Sequence, residues 1–320
     1  MSSRLPERVT TLLEEQNGAL GRRQAASAGV ATETIRNKAR SGRWQRPYRG
    51  VYLAFSGDPD REAVLSAALL RAGPDATLSH QTAAERHGLI DEPSALIHIT
   101  VPAVRHPARW TKIPGVVIHR SARVTQTRHP AMSPPCTRLE DTVLDLIETA
   151  RTFEDAYAWL CRAVGRRKTT AARIQQAMTR RKKIRWRTDV TIGLGDVAEG
   201  ILSVLERRYV YRVERPHGLP SARRQWRVHQ QTRNKYLDNL YEGYGLCVEL
   251  DGTAAHPADE QWRDKRRDNW NLVHKNVATL RLGLLDLGES SCQTARDIAT
   301  RLTHSGWSGP FRRCPRCPPP

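Results

Sequence analysis

Residues 236–251 read YLDNLYEGYGLCVELD, and this stretch decides how the C-terminal part of the chain folds. Two strand-like runs flank Glu242-Gly243-Tyr244-Gly245, whose glycines mark a turn, so the spacing predicts an antiparallel hairpin. With that turn, Tyr241 faces Leu246, and counting back in register sets Asp238 opposite Glu249. Side chains alternate along a strand, so Asp251 shares the face of Glu249 while Leu246, Val248 and Leu250 point into a core. Like charges directly opposite each other destabilise a hairpin, their Cβ atoms being only about 5 Å apart. Burying them is costly unless a cation binds, and hard carboxylate oxygens suit Mg²⁺ or Mn²⁺. The plainer alternative makes Asp238 an exposed strand residue and Asp251-Gly252 a turn after the strand.

Working outward, Val197 to Val213 has helical periodicity, and Arg223 to His229 is a further strand. Beyond the hairpin come a basic helix from Ala258 to His274, a strand from Val277 to Leu282 and a closing helix from Cys292 to Thr303. Helix, three strands, helix, strand describes an α/β sandwich around a small mixed sheet. On the first helix Leu202, Leu205, Tyr209 and Val213 share a stripe with Glu206 at its edge. By itself Glu206 reads as a partner for Arg207 or Arg212.

The ordered set Ser203-x2-Glu206, His217-Gly218-Leu219-Pro220, Tyr236-Leu237-Asp238, Val248-Glu249-Leu250-Asp251-Gly252, His256 and Asp264-x2-Arg267-Asp268 resembles the actinobacterial domain-of-unknown-function family numbered 559. That family is related to the very-short-patch-repair endonucleases of the PD-(D/E)XK superfamily, and the similarity spans about residues 197 to 287. The resemblance implies a restriction-endonuclease-like fold and a metal-dependent phosphodiesterase centre, with Asp238 and Glu249 as metal ligands and Glu206 as an auxiliary acid. Asp251 stands where the superfamily formula has Lys. As a third carboxylate it can bind metal, and His256, five residues on, is then the nearest group able to titrate near neutral pH. A loop histidine beside Pro257 is the alternative for His256, and a structural ion network is the expected role of Asp264, Arg267 and Asp268.

At the other end, Val9, Leu12 and Leu13 form one face of a short helix that stops at Asn17-Gly18. The stretch Arg22 to Val30 follows, with Gly29 supplying the backbone freedom for a tight turn, and Thr32 is placed to cap a third helix, Glu33 to Arg40. Trp44 to Leu53, around Pro47 and Gly50, reads as a small hairpin. Three helices and a wing make a winged helix-turn-helix, whose third helix would carry Arg36, Asn37, Lys38 and Arg40 into the major groove. Arg43 and Arg46 would reach phosphates. Ala25-x3-Gly29, Ile35-Arg36, Ser41-Gly42-Arg43-Trp44 and Arg49-Gly50-Val51-Tyr52 resemble the N-terminal domain of AbiEi-type antitoxins of type IV toxin–antitoxin systems. That resemblance implies a transcriptional regulator with a cognate toxin as partner. The alternative is a protein-binding helical domain whose basic residues are its solvated face.

Residues 61–190 read as an α+β region, more diffusely similar to the second part of the same antitoxins. Strands are expected at Ile97–Val101 and Val116–His119, helices at Thr137–Ala150 and Phe153–Val164, and His80, His98 and His119 as structural histidines. From Arg162 to Arg187 the chain holds eleven Lys and Arg and no acid. Its densest part includes Arg181, Lys182 and Lys183. Such a run is a solvated face or linker, or a stripe that tracks phosphates.

The whole chain has 320 residues, 52 Lys and Arg against 33 Asp and Glu, and a formal net charge of +19. That excess makes double-stranded DNA the expected partner. The longest apolar run, Ala63 to Leu70, is interrupted by Ser66 and too short to span a membrane. Glu7, Glu14 and Glu15 disqualify the N-terminus as a signal sequence, and six scattered cysteines suit a reducing cytoplasm. The expected organisation is a winged helix-turn-helix (1–56), a middle domain (57–190), a nuclease-like domain (191–304) and a flexible tail (305–320). Within the tail Cys314-x2-Cys317 is half of a zinc site, with His304 and Cys292 as completions, or an unliganded pair in a free segment. Two functions follow: a DNA-binding Mg²⁺-dependent endonuclease, or an antitoxin-like regulator with an inactive nuclease fold.

Overall fold

The computed structural model describes residues 5–103, 113–230, 233–251 and 258–318, with the backbone alone at 225–230, 233–237, 258–265 and 267. The chain forms two compact units: residues 1–151 with 166–185, and residues 152–165 with 186–320. The expected boundary at 190 therefore shifts, because the helix at 153–165 packs with the C-terminal residues while the following stretch returns to the first unit.

The first unit opens with α1 (Glu7–Glu15), β1 (Ala19–Gly21), α2 (Arg22–Ser27), α3 (Thr32–Arg40), β2 (Gln45–Tyr48) and β3 (Val51–Leu53), the strands lying in the order β1-β3-β2. Val9, Leu20, Ala25, Val30, Ile35, Trp44 and Tyr52 form the core beneath the helices. Gly29, at φ +81°, makes the left-handed turn between α2 and α3 that other residues adopt only at a cost. Thr32 is the first helical residue rather than the cap; Ala31 holds the cap position and makes no side-chain bond there.

Next come α4 (Arg61–Ala72), β4 (Thr77–Leu78), α5 (His80–Arg86), β5 (Ile97–Pro102), β6 (Val116–Ser121), α6 (Val124–Thr127) and α7 (Leu139–Thr149). β5 is antiparallel to β4 and parallel to β6. Asp60 caps α4 by accepting from the Ala63 N–H at 2.8 Å. This alanine-rich helix is buried on two sides. Ala63 and Ala67 pack with Ala19, Val51 and Leu53, while Leu65, Ala68, Leu69 and Ala72 pack with Leu78, Ile97 and Ile99. The first 56 residues are thus not a separable body, since β1 and β3 rest against α4. After α8 (Phe153–Gly165), which belongs to the second unit, α9 (Ala171–Thr179) completes the first.

The second unit continues with α10 (Arg187–Ala198), α11 (Val204–Tyr209), β7 (Arg223–Gln230), β8 (Arg233–Tyr241), β9 (Leu246–Leu250), α12 (Ala258–Lys275), β10 (Ala278–Leu282) and α13 (Ser291–His304). The expected single helix Val197–Val213 is two helices. Gly200, at φ +87°, ends α10, and the Ser203 hydroxyl accepts from the Glu206 N–H to start α11. α11 then widens into a π-helical turn, Val210–Glu214. The sheet order is β10-β9-β8-β7, antiparallel through β7, β8 and β9 and parallel between β9 and β10. Tyr209, Val213, Tyr241, Leu246, Val248, Ala295, Ile298, Leu302 and Trp307 form its core. The expected free tail is held along part of its length. Trp307 is buried, Phe311 packs against the same core, and the Arg312 N–H donates to the His217 carbonyl at 2.9 Å.

Candidate functional site

Hairpin register determines which acids meet. Tyr241 pairs with Leu246, Leu240 with Cys247 and Asn239 with Val248, so the ladder runs toward Asp238 and Glu249 as neighbours. Glu249 is buried and Asp251 is half-exposed at the strand end. β10 then introduces a group that hairpin reasoning does not reach: Arg281 pairs in register with Glu249. Its guanidinium lies 3.0 Å from Glu249, 3.2 Å from Asp251 and 2.9 Å from Asp268. Burial works against its charge, but the bond to Asp268 and the fields of Glu249, Asp268 and Asp251 hold it more firmly protonated than an ordinary arginine.

The remaining expected ligands also have backbone partners. Asp238 Oδ2 accepts from the Leu250 N–H at 3.1 Å. Glu206 Oε2 accepts from the Leu202 N–H at 2.7 Å, so the buried Glu206 closes the N-terminus of α11 in the manner of a capping box. Its expected pairing with Arg207 is replaced, because Arg207 donates to Asp196 at 3.0 Å. His256 lies outside the described residues, as do the side chains of Asp264 and Arg267. The donor set is oxygen-only, as Mg²⁺ prefers. However, Arg281 bridges Glu249 and Asp251, and Asp238 and Glu206 each serve a backbone N–H. As arranged, these residues do not form an open metal shell.

Within the core behind this face lies a polar network absent from the sequence expectations. The hydroxyls of Tyr209 and Tyr241 are 2.6 Å apart, Glu214 accepts from the Ala222 N–H at 3.1 Å, and Arg224 pairs with both Glu214 and Asn239. Burial raises the Glu214 carboxyl above its usual range, with Arg224 opposing.

On the N-terminal module, Ile35 is the buried residue of α3 and anchors it to the core. Arg36, Asn37 and Arg40 consequently face solvent, as do Arg43 and Arg46 after the helix. Lys38 is half-buried, its ammonium 5.7 Å from the Trp44 ring. Arg36 has a neighbour in Glu33 at 3.7 Å, both side chains more than half exposed. Such a surface pair contributes little and yields readily to a competing anion.

The basic run behaves differently from its expected phosphate-tracking role. Arg181 is buried, 3.1 Å from Asp141 and 2.8 Å from Asp145. Arg180 lies 3.8 Å from Asp141, Arg173 lies 3.7 Å from Glu140, and Arg166 makes a two-pronged bond with Asp91. The Arg185 N–H donates to Glu148 and its guanidinium to the Ala150 carbonyl. Much of the run is therefore docked on the acidic face of α7, while Lys182 and Lys183 remain exposed. Arg181 is corrected from DNA contact to internal ion pair.

Arg181 also lines a polar cavity with His80, His119, Arg123 and Asp145. His80 and His119 stack with ring centres 3.5 Å apart, and His98 Nδ1 lies 3.0 Å from His119 Nε2. Burial, then the neighbouring histidines, lowers His80 to about 2 and His119 to about 4. At neutral pH both are uncharged hydrogen-bonding groups of the interior.

Residues 7–54 match the family model described as "Transcriptional regulator, AbiEi antitoxin". No curated protein matches the chain. Among solved structures, the chain is similar to the Rv2827c protein from Mycobacterium tuberculosis at 19% identity and a TM-score of 0.40, covering 63% of this chain and 82% of that one. Among the described residues, no helix is long and apolar enough to cross a membrane.

Proposed function

We propose that this chain is a DNA-binding transcriptional regulator of the antitoxin kind, reading duplex DNA through a winged helix-turn-helix whose recognition helix is α3. The observation that carries this reading is the antitoxin-regulator match over residues 7–54, on a module whose third helix buries Ile35 and exposes Arg36, Asn37 and Arg40. Arg36, Asn37, Lys38 and Arg40 contact base edges or the phosphates flanking them, and Arg43 and Arg46 hold the backbone. A cognate toxin is the protein partner that an antitoxin implies.

The endonuclease alternative draws on the element order α11, β7, β8, β9, α12, β10 and on the adjacency of Asp238 and Glu249. Against it stands Arg281, which supplies the positive charge that the like-charged hairpin face required. On this reading the second unit is a nuclease-type fold retained for DNA or partner contact, its Asp238, Glu249, Asp251 cluster closed by a guanidinium. Two experiments on the full chain test the proposal. Selection from a random duplex library should return a preferred site bound with a steep salt dependence; salt-independent or absent binding would overturn the regulator. Supercoiled plasmid with Mg²⁺ or Mn²⁺ should remain uncut. Nicking that disappears in Glu249→Ala would instead establish the enzyme.

A further inference from the structure

Four residues from three segments distant in sequence converge in the second unit. Cys292 opens α13, Cys314 and Cys317 bracket a turn in the C-terminal segment, and His217 follows the π-helical turn after α11. The Sγ atoms of Cys292 and Cys314 are 3.5 Å apart, those of Cys314 and Cys317 are 3.9 Å apart, and Cys317 Sγ lies 3.6 Å from His217 Nε2. All four ligand atoms fall within 4.8 Å of one another. We propose that His217, Cys292, Cys314 and Cys317 form a structural zinc site that fastens the C-terminal segment to the domain.

The three short separations are close to those of a tetrahedron around one ion. With Zn–S near 2.3 Å and Zn–N near 2.0–2.1 Å, tetrahedral angles place two sulfurs about 3.8 Å apart and a sulfur and a nitrogen about 3.6 Å apart. Three sulfurs and one imidazole make a closed, four-ligand set of the structural type. A disulfide accounts for the cluster less well. It would use two of three mutually close sulfurs, leaving the third and a buried imidazole aimed at it.

The histidine is oriented for this role. His217 is fully buried, and its Nδ1–H donates to the Val213 carbonyl at 2.9 Å, so the lone pair of Nε2 is directed at the sulfurs. Phe311 stacks on its other side, ring centres 5.4 Å apart. In the Cys314–Cys317 turn, the Cys317 N–H donates to the Cys314 carbonyl at 3.0 Å and the Arg316 N–H to Cys314 Sγ at 3.4 Å. A donor aimed at sulfur favours the thiolate that a metal needs. Gly218, at φ +68°, lets the chain pass against the side chain of Arg312 and the Pro310 carbonyl, where a Cβ would be crowded at 3.0–3.2 Å. The tail that the ion would fasten is thus already laid along the domain by Trp307, Phe311 and Arg312.

The test uses the full-length protein, grown with zinc and purified without chelator. Elemental analysis should find about one zinc per chain. Replacement by Co²⁺ should give the sulfur-to-cobalt charge-transfer band and intense visible bands of a tetrahedral thiolate site. Chelation should lower the melting temperature and expose three further thiols to a thiol reagent. His217→Cys should keep the ion with an altered cobalt spectrum, whereas Cys314→Ser with Cys317→Ser should lose it. Protein that holds no zinc and yields no tetrahedral cobalt spectrum overturns the proposal. So does full metal content in the double serine variant, or a Cys292–Cys314 disulfide in the purified wild type. Should the serine variant fail to fold, wild-type stoichiometry and His217→Cys still decide.

Discussion

Two basic segments of this chain look alike in sequence and differ in what their charges do. Arg36 and Arg40 on α3, with Arg43 and Arg46 after it, project from a helix held by one buried residue, Ile35. Arg180, Arg181 and Arg185 come from a denser run, yet they are docked against Asp141, Asp145 and Glu148 of α7. Charge density alone does not identify a nucleic-acid surface. What matters is whether the acids that could satisfy the cations lie on the same folded unit. For Arg180 and Arg181 they lie on one helix, about 40 residues upstream, and this part of the run behaves as an internal electrostatic clasp.

The largest effect expected from this contrast is on stability. Arg181→Ala removes the nearest partner of buried Asp141, and because Arg123 at 3.6 Å and Arg180 at 3.8 Å remain, the loss should lie toward the lower end of the about 3–5 kcal/mol that breaking a buried pair costs. Denaturant unfolding of the full chain should show that loss. Arg36→Ala should leave the unfolding midpoint unchanged. If Arg181→Ala weakened DNA binding at a temperature where it is folded, without a stability change, the run would be the DNA surface after all.

Next comes binding itself. Arg36→Ala should weaken a selected site by about 1–3 kcal/mol and relax preference at one base position, while Arg46→Ala should weaken selected and random duplexes alike. Fluorescence anisotropy on both duplex types separates the two. Equal losses from Arg36→Ala on both would reduce α3 to a phosphate contact.

Local and long-range features of the chain also differ in how legible they are in the sequence. The register of the Asp238–Glu249 hairpin could be counted from its turn, because both strands are adjacent in sequence. Arg281 could not, because its meeting with Glu249 depends on a parallel pairing across α12, and no local signal sets that register. The burial of Arg181 escaped for the same reason, its acids being on α7. Gly200 and Ser203 did carry a readable stop and start, but the apolar period running from Val197 to Val213 masked them. His217 stood in a quoted motif, though nothing local linked it to cysteines 75 and more residues later.

Acid should act on the docked segment through its neighbours. His80 and His119 face Arg181 across the cavity and are depressed below their ordinary value, to about 2 and about 4. A depressed histidine contributes stability that is complete above about pH 6.5 and is lost as pH falls through the folded pKa. Asp145, raised to about 6 by burial against the pull of Arg181, has the opposite sign: its contribution is complete below its ordinary value and lost as pH rises through 6. The histidines are displaced further and there are two of them, so melting temperature should drop on going from pH 6.5 to pH 4. His119→Gln should flatten that slope and Asp145→Asn should steepen it. A flat profile in the wild type would mean that the cavity hydrates its histidines.

The smallest effect belongs to the part of the run that stays exposed. Lys182 and Lys183 face solvent in the same segment where Arg181 is buried, and they are available there to phosphate. Each phosphate contact removed lowers the slope of log K against log salt by about 0.9 on duplex DNA. If these lysines accompany α3 onto DNA, Lys182→Ala with Lys183→Ala should reduce the slope by up to about two such contacts, equally for selected and random duplexes. Stability should be unaffected, since neither side chain is buried. An unchanged slope would leave these two lysines, like Arg181, on the structural side of the comparison. A reduced slope with intact site preference would assign the run a divided role, with Arg181 holding the segment in place and its two lysine neighbours adding sequence-independent affinity.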